Sequence, residues 1–205
     1  SPKCLEVAAR EIGKAGVQAR VREIVEGSVT DLSRFADESF DAVLCLGPLS
    51  HLVDGEDKKR ATRELVKVTK TASPIFVSVF GYHAVLRTVL QQLPEELTDP
   101  SHEEMFSRGV HRESWPKHPA GHGFTDAYFF HPAELKDLLE AHGVQTIDMA
   151  TCEGLSSHLR DEANRIYDDR EKWGRWSAML LRTCNDACIL GLGEHLVYVG
   201  RKVQG

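Results

Sequence analysis

The stretch Phe40–Leu52, FDAVLCLGPLSHL, is an apolar run that stops at Gly47-Pro48 and then presents His51. A short run of this kind, apolar through most of its length, reads as a strand from the interior of a parallel sheet. Gly47 permits a close backbone approach, and Pro48 fixes the turn that follows. A strand that halts this way belongs at the carboxyl edge of an open sheet, where ligands bind beside the point at which strand order reverses.

The flanking segments extend the same pattern. Before the strand, CLEVAAREIGKAG (4–16) sets Leu5, Ala8, Ala9 and Ile12 at helical spacing, and Gly16 supplies a stop. Val21–Val25 reads as a strand, followed by the loop GSVTDL. After Phe40–Leu52, Asp54 is a helix cap with Asp57 three residues on, and Ala61, Leu65 and Val68 form the buried stripe. IFVSVF, between Pro74 and Gly81, is the next strand. A helical pattern runs from Tyr82 to about Leu97, and residues 98–127 lack periodicity and read as a long loop or lid. HPAELKDLLEAHG is a helix with Pro132 in its first turn and Gly143 at its end, and VQTIDMATCEG is a strand. Residues 155–182 are helical, and GEHLVYVGRK closes the chain as a strand alternating like a sheet edge. Strands and helices joined in this order specify a doubly wound, mostly parallel α/β sheet. The expected organisation is one domain over residues 1–205, with 82–127 as a helical and loop insertion.

Bulk properties narrow the function. In 205 residues, 41% hydrophobic and 27% charged content suits a globular protein with a real core, and a net charge of −6 argues against nucleic acid as the partner. No apolar segment is long enough to cross a bilayer. Five scattered cysteines, Cys4, Cys45, Cys152, Cys184 and Cys188, suit reduced and mostly buried thiols in a cytoplasmic protein, with Cys184 and Cys188 as a helical pair of small core residues.

Taken in order, EGSVTDL, DESFDAVLCLGPLSHL, RATRELVKV, IFVSVFG, GFTDAYFFHPAELKDLLEAHGV and GEHLVYVGRK resemble the class I S-adenosylmethionine-dependent methyltransferases, and within them the small-molecule branch. The resemblance implies a Rossmann-like fold and methyl transfer to a small-molecule acceptor. S-adenosylmethionine is then the donor and S-adenosylhomocysteine the product. It implies that Ser28, Val29, Thr30 and Asp31 meet the adenine, that Cys4 covers one adenine face, and that Cys45, Leu46 and Gly47 lie beside the methionine part. Residue chemistry leaves plainer readings open: Thr30 and Asp31 also suit a turn that bonds its own backbone, and Cys4 a small residue on an amphipathic helix. His51 either orients or deprotonates a nucleophile or bonds a neighbouring loop. Tyr82 or His83 faces the acceptor, and Trp115, Phe124, Tyr128 and Phe129 supply apolar walls; core packing suits each of them equally. Ser50 stands where relatives carry Tyr, which alters the acceptor pocket.

Several family elements have no counterpart in the sequence. The glycine-rich loop, its strand and helix, and the strand bearing the ribose acid are missing. The cluster ILGLGEHL leads into a strand rather than a helix, so it reads as a turn and not as a permuted cofactor loop. The resemblance therefore implies a further N-terminal segment, a fragment, or a partner that completes the sheet. A rival reading is a non-catalytic methyltransferase-like binding protein. His102, His111, His118, His122 and His131 show no tight ligand spacing, and no metal is assigned. A homodimer is also expected.

Overall fold

The computed structural model describes residues 1–113 and 124–204. Four strands form one sheet: β1 (Val43–Leu46), β2 (Pro74–Phe80), β5 (Val144–Thr151) and β6 (His195–Lys202), in the order β1-β2-β6-β5. β1 pairs parallel with β2, and β6 runs antiparallel to both β2 and β5, so three of the four strands point the same way. The expected Rossmann-like α/β sheet is present.

Pleating sorts the sheet into two unlike faces. Cys45, Ile75, Val77, Val79, Leu196 and Tyr198 are buried and share one core with Ala61 and Leu65 of α2 (Gly55–Val68) and Leu135 and Leu139 of α5 (Pro132–Glu140). Asp54 caps α2 by accepting from the Glu56 and Asp57 amides. The opposite face carries Leu44 and Leu46 of β1, 62% and 58% exposed. Among the described residues no strand pairs with the outer edge of β1.

Two expected strands differ from the sequence reading. Val21–Val25 forms no strand, because no described strand lies beside it to form a ladder. β6 is interior rather than an edge: it lies between β2 and β5, and Gly200 there leaves no room for a Cβ beside Val144 and Tyr198.

The helices also refine the expectation. α1 (Pro2–Ala15) ends where Gly16 takes φ 66°, and none of its residues is buried. α3 (Tyr82–Gln92) stops short of Pro94, which begins a 3-10 turn. The expected loop contains α4 (Glu103–Arg108), with acids in its first turn and Gly109 at φ 70° closing it. It also contains β3 (Val110–His111) paired with β4 (Ala127–Tyr128). Residues 155–182 divide into α6 (Arg160–Tyr167) and α7 (Arg170–Thr183), because Asp169 caps the second helix. Cys184 follows α7 while Cys188 lies in α8 (Ala187–Leu190), so they are not a core pair. All five cysteines are free thiols, but only Cys45 is buried; burial of most of them is not observed.

The cluster ILGLGEHL has a packing explanation. Gly193 lies against β5, where a Cβ would meet Thr151 Oγ1 at 1.7 Å, and its carbonyl approaches Gly81 so closely that a Cβ there would lie 2.2 Å away. Gly193→Ala is expected to lower stability by about 1–3 kcal/mol through overpacking. Urea unfolding checks this, with Gly191→Ala as the comparison: there the nearest atom is the movable His83 ring at 3.1 Å.

Candidate active site

At the carboxyl edge of β1, Gly47 turns the chain at φ 106° and a Cβ there would meet open space. A single 3-10 turn, Pro48–His51, follows. Two hydrogen bonds hold it on β2: Gly47 N–H donates to Ser78 O at 3.0 Å, and Phe80 N–H donates to Ser50 Oγ at 2.8 Å. Ser50 is fully buried. Its hydroxyl serves the backbone of β2, so the Ser for Tyr replacement acts in the scaffold rather than on a pocket wall.

One side of this turn borders a groove of about 400 Å³ lined by Ser28, Val29, Asp31, Cys45 and Pro48 together with Phe35, Phe40 and Val43. The 28–31 turn is tightly organised: Thr30 N–H donates to Ser28 Oγ, the Ser28 and Thr30 hydroxyls lie 2.7 Å apart, and Ser33 N–H donates to Asp31 Oδ1. Glu64 of α2 ties the loop down by accepting from Leu32 N–H at 2.7 Å. Hydrogen bonds from Ser33 hold the Asp31 carboxyl below its usual range. Burial pushes the Cys45 thiol up to about 11, which keeps it neutral. Cys4 is exposed on α1 and does not line the groove; nor do Thr30, Leu46 and Gly47.

The other side of the turn borders a second cavity, of about 350 Å³, walled by Phe80, Ala84, Val85, Val89, Met105 and Phe129, with Phe124, His111 and His195 also at its surface. His51 stands beside it, edge-on to Phe80 at 5.7 Å and tilted over Phe124 at 6.1 Å. Its Nδ1 is 3.0 Å from Asp126 O and 3.2 Å from Thr125 Oγ1. A carbonyl only accepts, so Nδ1 carries the proton and Nε2 keeps its lone pair. His51 thus anchors the neighbouring loop while leaving a basic nitrogen available.

Tyr82, His83 and Tyr128 do not line this cavity. His83 Nδ1 donates to Gly191 O at 3.2 Å, which ties α3 to the turn before β6. Tyr82 and Tyr128 line a polar cleft of about 410 Å³ with Lys58, Arg108 and His131. Tyr82 donates to Phe106 O and Tyr128 to Glu134, while Lys58 Nζ lies 2.9 Å from the centre of the Tyr128 ring. Trp115, His118 and His122 fall outside the described residues, and among those described no three His, Cys, Asp or Glu side chains converge as a metal site. Sequence reasoning missed Phe80, Ser50's clamp and His195; each acts through contacts distant in sequence, for which no local spacing exists.

Residues 1–77 match a family model described as a methyltransferase domain. No curated protein sequence matches the chain. Among solved structures, a SAM-dependent methyltransferase from Methanosarcina mazei aligns at TM-score 0.56 and 18% identity, over 89% of this chain and 68% of that one. An S-adenosylmethionine-dependent methyltransferase from Clostridium acetobutylicum aligns at 0.55 and 9% identity, over 100% and 73%. This is the class I methyltransferase fold. The cyclase SpnF also aligns, at 0.50 and 18% identity over 98% and 63%, so the methyltransferase fold by itself does not name a reaction. The chain spans roughly two thirds of the length of these three structures.

Lys58 gives this region a measurable signature. Burial outweighs the nearby Glu134 and Asp54 carboxylates and pulls its ammonium down from 10.5 to about 8, with Arg108 adding to the shift. Between those values the unfolded chain holds a proton that the folded chain has released, so stability rises with pH across that window. The stability difference between wild type and Lys58→Met is therefore expected to move in favour of wild type from about pH 8 to 10. Denaturant midpoints for both proteins across that range check the slope; Cys45, whose shift comes from burial and the Leu49 backbone, titrates in both and cancels.

Proposed function

We propose that this chain transfers the methyl group of S-adenosylmethionine to a small-molecule acceptor, leaving S-adenosylhomocysteine. The observation that carries this reading is the turn Pro48–His51. Its first residue lines the groove and its last stands against Phe80 in the wall of the neighbouring cavity. Donor and acceptor bound on the two sides of one short turn would meet at its rim, and alignment is most of what a displacement at carbon requires.

The residues present suit the adenine side of the donor. Asp31 and Ser28 offer acceptors for an exocyclic amine, Val29 a backbone amide, and the groove beside Cys45 leads to the open space at Gly47. Thr30 and Leu46 frame that path, and Cys4 joins it only if α1 folds over the adenine. When bound, the sulfonium donor supplies an electrophilic methyl group; the chain's own residues hold and orient. His51 Nε2 is placed to take a proton at the rim, and Phe124 is an apolar wall beside it. Tyr82 and His83 belong to the acceptor side in this reading only through rearrangement of the 82–127 segment, which acts as a lid on the single 1–205 domain; Trp115, and Tyr128 just after the segment, are assigned there by the resemblance alone.

The net charge of −6 and the apolar cavity support a metabolite rather than a nucleic acid. Five free thiols support a cytoplasmic setting, and no helix among the described residues is long and apolar enough to cross a membrane. A second reading is favoured by exposed Leu44 and Leu46 on β1, whose outer edge no described strand covers: the chain binds the donor only when another segment covers that edge, as a second copy would in a homodimer.

Titration calorimetry with S-adenosylhomocysteine tests the proposal. Saturable binding that weakens about tenfold in Asp31→Ala, the loss of one hydrogen bond to a charged acceptor, supports it. Absence of binding by the isolated monomer, with binding gained on dimerisation or on adding a partner, supports the second reading. No binding in any state overturns both.

A further inference from the structure

The reading above leaves one hydrogen-bonded His–Glu pair at the acceptor cavity unused. His195 opens β6 directly across from Phe80 in the β2–β6 ladder, and the two rings meet edge-on at 5.5 Å. Phe80 therefore stands between His195 and His51. His195 Nδ1 is 2.7 Å from Glu153 Oε1, and Glu153 Oε2 also accepts the His195 backbone N–H at 2.9 Å. Held at both oxygens, Glu153 fixes ring and backbone together. A carboxylate accepts, so the Nδ1 position carries the proton and Nε2 is the basic nitrogen. Among the described residues no hydrogen bond reaches Nε2, and the ring lines the 350 Å³ cavity.

The placement is built by close packing. Gly193, two residues earlier, lies against Thr151, and Cys152 N–H donates to His195 O at 2.9 Å. His195 is thus fixed at the start of β6 by its pairing with Phe80, and Glu153, two residues after β5, by the two bonds it accepts from His195. Nearby charges are Glu194, whose carboxylate accepts from His158 N–H, and on the far wall the Glu96–His102 pair.

We infer that His195, oriented by Glu153, receives the proton of a flat, largely apolar acceptor bearing an ionisable O–H or N–H in this cavity. The inference rests on the methyl-transfer reading for its overall reaction. As the acceptor O–C or N–C bond forms and the donor S–C bond breaks, the acceptor proton moves to His195 Nε2. The imidazolium so formed faces the Glu153 carboxylate, which offsets its charge. His195 is then the catalytic residue in place of His51, which keeps its hold on the Asp126 carbonyl, and Glu153 is the positioning residue. Phe80 and Phe129, which line the cavity with His195, provide faces for a planar ligand; their rings are tilted by 37° with centroids 6.1 Å apart.

The test uses 4-nitrophenol, whose ionised form absorbs at longer wavelength than its neutral form, so it reports binding and proton transfer separately and needs no cofactor. At a pH where the free phenol is mostly un-ionised, wild type is expected to raise the ionised fraction of the bound probe. His195→Gln abolishes that rise, and Glu153→Gln lowers it about tenfold, a change of roughly one unit in imidazole basicity. Both variants should still bind the probe, whereas Val85→Trp, which fills the cavity, should not. An ionised band that persists in His195→Gln, or binding unaffected by Val85→Trp, overturns the inference. If S-adenosylhomocysteine fails to bind while the probe is ionised as expected, the methyl-transfer reading fails and the proton-accepting pair stands.

Discussion

The hydrogen bond from Phe80 N–H to the buried Ser50 hydroxyl, 2.8 Å long, is the contact on which the site's arrangement depends. It seats the turn after β1 on the end of β2, with Gly47 N–H to Ser78 O as its companion. A buried amide left without an acceptor costs about 1–3 kcal/mol, so a small hydroxyl at position 50 holds the geometry more firmly than its size suggests. Pro48 then faces the groove, His51 faces Phe80, and Phe80 in turn meets His195 through the β2–β6 register. Three segments distant in sequence, the 48–51 turn, Phe80 and His195, are brought to one edge by the Ser50 clamp and the β2–β6 pairing.

The sheet explains why this edge is both ordered and incomplete. One face is closed by α2 and α5 over Val77, Val79, Leu196 and Tyr198. The other carries Leu44 and Leu46 into solvent on a strand with one open edge. Apolar side chains on an unpaired edge are a template for pairing. The groove beside Pro48 runs along this open edge of β1 and is bounded by Leu65 and Val68 of α2, whereas the cavity beside His51 is lined from α3, α4 and the start of β6. Two adjacent pockets therefore have unequal support, and the cavity beside His51 is the better built.

Much of the fold was legible in the sequence because local chemistry carries it. The Gly47-Pro48 stop, the Asp54 cap, Pro132 and Gly143 each mark a boundary that the structure keeps. What was not legible depends on pairing. Val21–Val25 has strand composition but no neighbour, and β6 looks like an edge because alternation says nothing about how many strands flank it. α4 was overlooked although SHEEMFSRG contains acids at its start and a glycine at its end; its shortness hid the period. Ser28, Val29, Asp31 and Cys45 do share one groove and His51 does stand against Phe80, a grouping that their order along the chain suggested. The Glu153–His195 pair spans 42 residues and Ser50 spends its hydroxyl on a backbone amide, so neither leaves a local pattern to read.

The most direct measurement is the joint effect of Ser50→Ala on the two sites, with S-adenosylhomocysteine and 4-nitrophenol affinities titrated separately and the Phe80 amide followed by hydrogen exchange. The account predicts faster exchange at Phe80 and a parallel loss of affinity for both ligands in a protein that remains folded, because one turn positions both sites. Faster exchange at Phe80 with both affinities unchanged would contradict it.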